Sequence, residues 1–264
     1  MSQVPDAPNT PQADLWARLR SATPARIGLA RVGNALPLAE VLAFQQAHAL
    51  ARDAVHTPLD TAALEQALAP MRVLQVESAA PDRATYLRRP DLGRALSQRA
   101  RGVLAACQEA CDVLFVVGDG LSATGVQAGA AELVRVCAEE LADLAIGPVV
   151  IARQARVALG DPIGEALGAR VCVMIIGERP GLTVSDSLGI YMTFGPRIGR
   201  VDSERNCISN VHQAGGLTPR EAARTLGWLL RAALRLGLSG VDLKEESPPL
   251  AAPHQPADPK TIGG

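Results

Sequence analysis

The sequence predicts an α/β fold, in which a parallel sheet with flanking helices follows a mostly helical N-terminal portion. Three short apolar runs, each followed by turn residues, support this prediction; they span residues 112–120, 147–153 and 171–181. Uninterrupted apolar runs of this length are typical of strands that are buried on both faces. Helix-forming segments alternate with these runs, which is the pattern of a parallel sheet with crossover helices. We therefore expect a Rossmann-like sheet.

Two connecting segments are predicted to be helices. Residues 121–144 are rich in alanine, leucine, valine and glutamate and contain no proline, a composition that favours a helix. A second, shorter helix is expected to have Asp161 as its N-cap and Pro162 in its first position, and to end before Gly168. These residue types are preferred at those helix positions.

The flanking segments complete the expected domain organisation. Apolar residues at helical spacing over 37–55 and 96–110 predict a mainly helical portion at 26–105. A leader at 1–25, with a short amphipathic turn at 14–20, precedes it. The Rossmann-like domain is expected at 106–244 and contains a long helix with Thr218 as N-cap, Pro219 in the first position and Glu221 completing a capping box. Residues 245–264 are rich in proline and are expected to be a disordered tail.

The composition argues against several classes of function. The net charge of the 264 residues is −1, so neither a nucleic-acid nor a membrane-binding surface is indicated. Aromatic residues make up only 3% of the chain, which disfavours stacking on single-stranded nucleic acid. No apolar run reaches the roughly 18 residues that span a bilayer. The five cysteines lack Cys-x-x-Cys spacing, so we expect no metal ligands, and their odd number without a secretory signal fits a reducing cytoplasm.

The glycine-rich turn after the first predicted strand is a candidate ligand site. Residues 118–123 formally satisfy the dinucleotide fingerprint G-x-G-x-x-G/A, between a strand and a helix. However, Asp119 places a carboxylate where a pyrophosphate needs neutral amides. The next predicted strand also ends without the acidic residue that binds a nicotinamide cofactor's ribose. A turn beside some other ligand is therefore favoured.

Three further positions carry candidate chemistry. Glu178 follows a predicted buried strand directly, and ligands of open α/β sheets bind outside such strand ends. His212 lies in a segment that differs by one residue from the Asp-x-His-x-x-Gly loop of some corrinoid proteins, because Asn210 replaces the aspartate. We therefore expect His212 to be a solvent-exposed loop histidine. The polar residues 202–207 are expected to form a loop that is either solvated or ligand-facing. No combination of these residues predicts a self-contained catalytic site.

Six stretches, taken together and in order, resemble the small (light) subunits of ethanolamine ammonia-lyase. The resemblance covers most of the chain, from Arg26 to Lys244. Six ordered motifs are far more specific than any one of them. The matching stretches are residues 52–56, 86–93, 117–123, 156–161, 176–182 and 205–210.

The resemblance implies a lyase that depends on adenosylcobalamin (coenzyme B12) and converts ethanolamine to acetaldehyde and ammonia by a radical mechanism. It implies a large subunit that hosts the radical chemistry, and a small subunit that covers the cobalamin at their interface. Transferred by position, the family's cobalamin contacts fall on Val157, Glu178 and Cys207. No catalytic residue is implied for this chain. The expected location is the cytoplasm, either free or inside a bacterial microcompartment.

The sequence is also compatible with two alternative functions. The same sheet is compatible with a nucleotide-dependent oxidoreductase, which a change in the fluorescence of reduced nicotinamide on mixing would reveal. It is also compatible with a non-catalytic assembly subunit whose crevice holds no cofactor. Retention of a red corrinoid by the purified complex would separate the cofactor-binding interpretation from the second alternative.

Overall fold

A computed structural model describes residues 12–23, 25–29, 31–107 and 110–244. The expected disordered tail at 245–264 and the first eleven residues of the leader lie outside the described residues. Within the described ranges, six strands form one sheet in the order β1-β3-β2-β4-β5-β6. The strands are β1 (Val73–Glu77), β2 (Cys111–Gly118), β3 (Val149–Arg153), β4 (Ala169–Gly177), β5 (Leu188–Phe194) and β6 (Arg205–Val211).

Eight α-helices of the described ranges accompany this sheet. They are α1 (Gln12–Ser21), α2 (Leu38–His56), α3 (Thr61–Leu68), α4 (Arg83–Arg88), α5 (Gln98–Ala105), α6 (Ala123–Glu140), α7 (Gly160–Ala166) and α8 (Pro219–Leu236). The α/β class and the helical N-terminal part are thereby confirmed. No helix among the described residues is long and apolar enough to cross a membrane.

The sheet is parallel in its first four strands and antiparallel in the last two. β1 pairs with β3, and β2 pairs with β3 and β4, all in parallel. β5 then pairs with β4, and β6 with β5, in antiparallel register. The three strands predicted from the sequence are present, whereas β1, β5 and β6 were missed. The prediction of a parallel sheet therefore holds for β1 to β4, and the complete sheet is mixed.

The central strand β2 shows why the core lies on both faces of the sheet. Side chains alternate between the faces of a strand. Val113, Phe115 and Val117 belong to one apolar cluster, together with buried residues of α3, α6 and α8. Leu114 and Val116 belong to a second cluster, which includes buried residues of α5 and α7. An apolar run without polar alternation is what such double burial requires.

Local capping chemistry sets the beginning of the two long helices. α8 begins as predicted, because Thr218 and Glu221 form a reciprocal capping box with Pro219 in the first turn. α6 is shorter than the predicted 121–144; the hydroxyl of Ser122 accepts a hydrogen bond from the Gly125 amide and fixes its start. Its C-cap is Leu141, so the last residues of the predicted span form a turn.

Two other helix predictions need correction. α7 begins at Gly160, and Asp161 lies inside its first turn and is buried, so Asp161 is not the N-cap. A buried ion pair holds Asp161 there: both its carboxylate oxygens accept hydrogen bonds from Arg205. The helix predicted at 96–110 is the shorter α5, which ends at Ala105.

The polar residues 202–207, expected as a loop, form the start of an edge strand instead. Asp202–Glu204 is one turn of 3₁₀ helix, and β6 begins at Arg205. The side chain of Asn206 binds the segment around Gly240 to the start of this strand. Its amide group donates to the carbonyls of Gly240 and Leu243, and its oxygen accepts from the Gly240 amide. At the other end of β6, the Leu217 amide donates to the Asn210 carbonyl.

Candidate functional site

A pocket of about 390 Å³ lies at the carboxyl ends of β2 and β4, and we call it the β2–β4 pocket. The chain leaves β2 towards β3 on one side, and after β3 it crosses to β4 on the other side. Open α/β sheets bind ligands at such a switch point, because the diverging connections leave a crevice there. The lining residues are Tyr86, Gly120, Leu121, Arg156, Val157, Ile176, Gly177, Glu178, Arg179 and Tyr191.

Glycines form the floor of the pocket because two backbone segments touch there. Gly120 has φ +54°, and a Cβ at this position would overlap the carbonyl oxygen of Gly177. A Cβ on Gly177 would likewise overlap the carbonyl oxygen of Ser122. The Leu121 amide donates to the Gly177 carbonyl at 2.9 Å and ties the two segments together. The glycine-rich turn therefore serves the close approach of β2 and β4.

Asp119 does not line this pocket. It is 4% exposed, and its two carboxylate oxygens accept hydrogen bonds from the backbone amides of Gln154 and Ala155, each at 2.9 Å. The Arg83 guanidinium lies 3.5 Å from one of them. Burial raises the pKa of Asp119, and the two amides and Arg83 act in the opposite direction. The Asp119 carboxylate therefore holds the loop after β3 and does not face a ligand in this pocket.

Glu178 and Val157 both line the β2–β4 pocket, on opposite sides of the switch point. Glu178 directly follows β4, and Val157 begins a single 3₁₀ turn before α7. The Glu178 carboxylate accepts a 2.6 Å hydrogen bond from the Ser187 hydroxyl and longer ones, at 3.3 Å, from the Asn210 amide. These donors fix the carboxylate at the edge of the pocket.

Cys207 lies next to the pocket and does not line it. It is exposed on β6, directly opposite Tyr191 of β5, whose ring is part of the pocket wall. Partial burial raises the pKa of the Cys207 thiol, and the negative charge of Glu178 adds to this rise. The hydrogen bond with the Tyr191 hydroxyl acts in the opposite direction and lowers the pKa of Cys207. Burial also raises the pKa of Tyr191 to about 12. Both groups are therefore protonated at neutral pH, and a reactive thiolate at Cys207 is not supported.

Sequence reasoning missed Tyr86, which belongs to the wall of the pocket. We call Tyr86 and the two arginines that pack against its ring, Arg83 and Arg156, the Tyr86 clamp. Tyr86 is fully buried on α4, and its hydroxyl donates to the Ala155 carbonyl at 2.9 Å. The guanidinium carbons of Arg83 and Arg156 lie 4.7 and 4.4 Å from the centre of its ring, within the range of cation–π attraction. Burial raises the pKa of Tyr86 to about 12. The matching stretch 86–93 was the only sequence signal for this residue.

His212 is not the solvent-exposed histidine that the sequence predicted. It is 8% exposed, because the turn after β6 folds back and its own amide donates to the Leu217 carbonyl. Nδ1 accepts from the Ala214 amide at 3.2 Å, and Nε2 lies 2.9 Å from Oδ1 of Asn210. Both ring nitrogens are therefore engaged. Among the described residues, no group of three or more His, Cys, Asp or Glu side chains is placed to hold a metal ion.

Known proteins resemble this chain over almost its whole length. The sequence model of the ethanolamine ammonia-lyase light chain (EutC) matches residues 13–244. The ethanolamine ammonia-lyase small subunit of Xanthomonas campestris pv. campestris is 50% identical over 252 residues, which cover 91% of each chain. That of Azotobacter vinelandii is 50% identical over 88% of each chain. That of Bradyrhizobium diazoefficiens is 49% identical over 92% of this chain and 94% of the relative. The chain therefore belongs to the ethanolamine ammonia-lyase light chain family.

Proposed function

We propose that this chain is the small subunit of an adenosylcobalamin-dependent lyase that converts ethanolamine to acetaldehyde and ammonia. Its β2–β4 pocket holds one side of the cobalamin at the interface with the large subunit. The observation that carries this proposal is the convergence of three positions at one edge of the sheet. Val157 and Glu178 line the pocket, and Cys207 stands opposite the pocket residue Tyr191.

The residues of the pocket fit the periphery of a corrin ring. That periphery carries amide side chains and methyl groups. Glu178 offers a carboxylate that accepts amide N–H bonds, and Tyr191 offers a hydroxyl. Leu121, Val157 and Ile176 offer apolar surface to the methyl groups. Small-molecule sites combine few polar groups with apolar walls in this way.

The size of the pocket supports a shared cofactor site. A bound cofactor normally has most of its surface covered by protein, whereas a pocket of about 390 Å³ encloses only an edge of a corrinoid. A second protein surface must cover the rest. When bound in the complex, adenosylcobalamin would supply the radical chemistry of the reaction. This chain holds and orients one edge of the ring, and its apolar wall excludes water there.

Exposed apolar residues near the N-terminus support a large partner. α2 is 19 residues long, yet among its residues, all of which the structure describes, only Ala54 is buried. Leu38, Leu42, Phe44 and Leu50 are each between 47% and 72% exposed. Clusters of exposed apolar residues mark interaction surfaces. We place the large subunit against this helix as well as over the β2–β4 pocket.

Co-expression of the chain with an ethanolamine ammonia-lyase large subunit tests the proposal. The purified complex is expected to retain adenosylcobalamin and to release acetaldehyde from ethanolamine, and the chain alone to do neither. Val157→Asp puts a charge on the apolar wall and should weaken corrinoid retention. Arg170→Gln changes an exposed residue at the opposite end of β4 and serves as the control. Turnover by this polypeptide alone, free of partner by mass spectrometry, would overturn the proposal.

A further inference from the structure

Arg156 is a cation in the wall of the β2–β4 pocket, and no carboxylate of the described residues forms an ion pair with it. Its Nη2 donates to the Tyr86 carbonyl at 3.3 Å, and its Nε is buried without a hydrogen-bond partner. No described carboxylate lies within ion-pair distance of it. The second arginine over the Tyr86 ring, Arg83, has Asp119 as its counter-charge. The two arginines of the clamp therefore differ in their charge balance.

The guanidinium of Arg156 is held in place before any ligand binds. The Tyr86 ring packs against it at 4.4 Å, and the Arg156 backbone amide donates to the Gly93 carbonyl at 2.9 Å. A Cβ on Gly93 would lie 2.8 Å from Cγ of Arg156, so the side chain also packs closely against this turn. Because the side chain is already ordered, a ligand that binds it loses little further conformational entropy.

The charges that line the pocket favour a ligand with one negative charge. Arg156 and Arg179 are positive and Glu178 is negative, which leaves one positive charge in excess. A planar guanidinium suits a phosphate group, because two parallel N–H groups can bind two of its oxygens. Adenosylcobalamin carries such a group, since the loop that joins its nucleotide to the corrin contains a phosphodiester.

We propose that Arg156 recognises the phosphodiester of the cofactor's nucleotide loop, and that the Tyr86 clamp positions it for this contact. This inference rests on the proposed function, because it assigns a part of the same cofactor to one residue of the pocket. Arg156 then makes the site selective for complete cobalamin over cobinamide, which lacks the nucleotide and its phosphodiester.

Binding measurements with both corrinoids test this assignment. Equilibrium dialysis of the complex with its large subunit gives the ratio of the Kd of adenosylcobinamide to that of adenosylcobalamin. For Arg156→Gln this ratio should fall about ten- to a hundredfold, which is the range expected when a charged hydrogen bond is lost. Arg156→Lys keeps the charge and should recover part of the ratio. Arg153→Gln removes an exposed arginine three residues earlier, paired with Glu77, and should leave the ratio unchanged.

The outcomes separate this inference from the function on which it rests. If the wild-type complex binds neither corrinoid, the proposed function fails. If it binds both, and Arg156→Gln weakens both equally or leaves both unchanged, the phosphodiester assignment fails while the cofactor site stands. A misfolded variant loses both ligands, so circular dichroism of each variant must match the wild type. If millimolar inorganic phosphate stabilises the complex through Arg156 and the ratio does not change, the residue binds free phosphate and the assignment is overturned.

Discussion

The buried pair of Arg205 and Asp161 offers a sharp test of how the site is supported. Their side chains are 3% and 4% exposed, and Nη1 and Nη2 of Arg205 donate to the two carboxylate oxygens at 2.6 and 2.7 Å. Thr193 and the Arg200 carbonyl accept further hydrogen bonds from the same guanidinium. Burial acts to lower the pKa of Arg205, and the contacts with Asp161 and Asp202 together more than reverse this effect. The pair joins α7 to the first residue of β6.

Asp161→Asn keeps the shape of the side chain but removes its charge and turns one acceptor into a donor that faces Arg205. The exposed Asp202 carboxylate, 3.5 Å from Nε of Arg205, then remains as the nearest negative charge. Removing the buried partner of a buried ion pair costs about 3–5 kcal/mol of the free energy of unfolding. For a domain of this size, each 1 kcal/mol corresponds to roughly 2–4 °C in Tm. We therefore expect Tm to fall by roughly 6–20 °C.

Urea unfolding of the full chain, followed by circular dichroism, measures this effect. The double variant Asp161→Leu with Arg205→Met removes both charges and replaces them with apolar side chains. The double variant should be more stable than Asp161→Leu alone or Arg205→Met alone, because no unpaired charge remains buried in it. The reasoning is refuted if Asp161→Asn lies within about 1 kcal/mol of the wild type, or if the two single effects simply add.

Three further predictions concern the pocket and its surroundings. Glu178→Gln should weaken cobalamin binding by about 1–2 kcal/mol, since it loses the charge-assisted acceptor; an unchanged affinity of the complex in equilibrium dialysis would contradict its role. Gly177→Ala should lower the free energy of unfolding by about 1–3 kcal/mol, because its Cβ overlaps backbone oxygens. Gly102→Ala, where a Cβ meets nothing within 4 Å, is its control in the same urea titration, and equal effects would argue against a backbone clash. Alkylation at pH 8 should modify Cys207, slowly because its pKa is raised, since this thiol is exposed; Cys137 should not react, because it is buried and burial raises its pKa to about 12. Cobalamin should protect Cys207 in the complex, and mass spectrometry of labelled peptides that shows no protection would place it away from the cofactor.

The sequence predicted those features that depend on local patterns. The strands β2, β3 and β4 are uninterrupted apolar runs, so their double burial was readable from composition. The cap of α8 needs only Thr218, Pro219 and Glu221, which are neighbours in the chain. Glu178 was readable as well, because its position depends only on where a buried strand ends. Val157 and Cys207 came from the family resemblance alone, and their role as cofactor contacts stays a prediction.

Features that depend on distant contacts could not be predicted in this way. Asp161 has the residue type of an N-cap, but Arg205, 44 residues later, draws it into the core. His212 lies in a polar segment, and only the return of the chain at Leu217 buries it. The Tyr86 clamp joins two arginines that are 73 residues apart in sequence (83 and 156) around one ring. No local periodicity reports such tertiary partners.

The hydrogen bonds between Asn206 of β6 and the segment around Gly240 affect how the chain behaves in solution. A strand at the edge of a sheet presents unpaired amides and carbonyls, to which an edge of another molecule can add and start a fibril. Here the segment around Gly240 and the returning chain at Leu217 lie along both ends of that edge. These contacts hinder strand addition at the two ends of this edge. The surfaces that remain for self-association of an orphaned chain include β1 at the opposite edge of the sheet and the exposed apolar residues of α2.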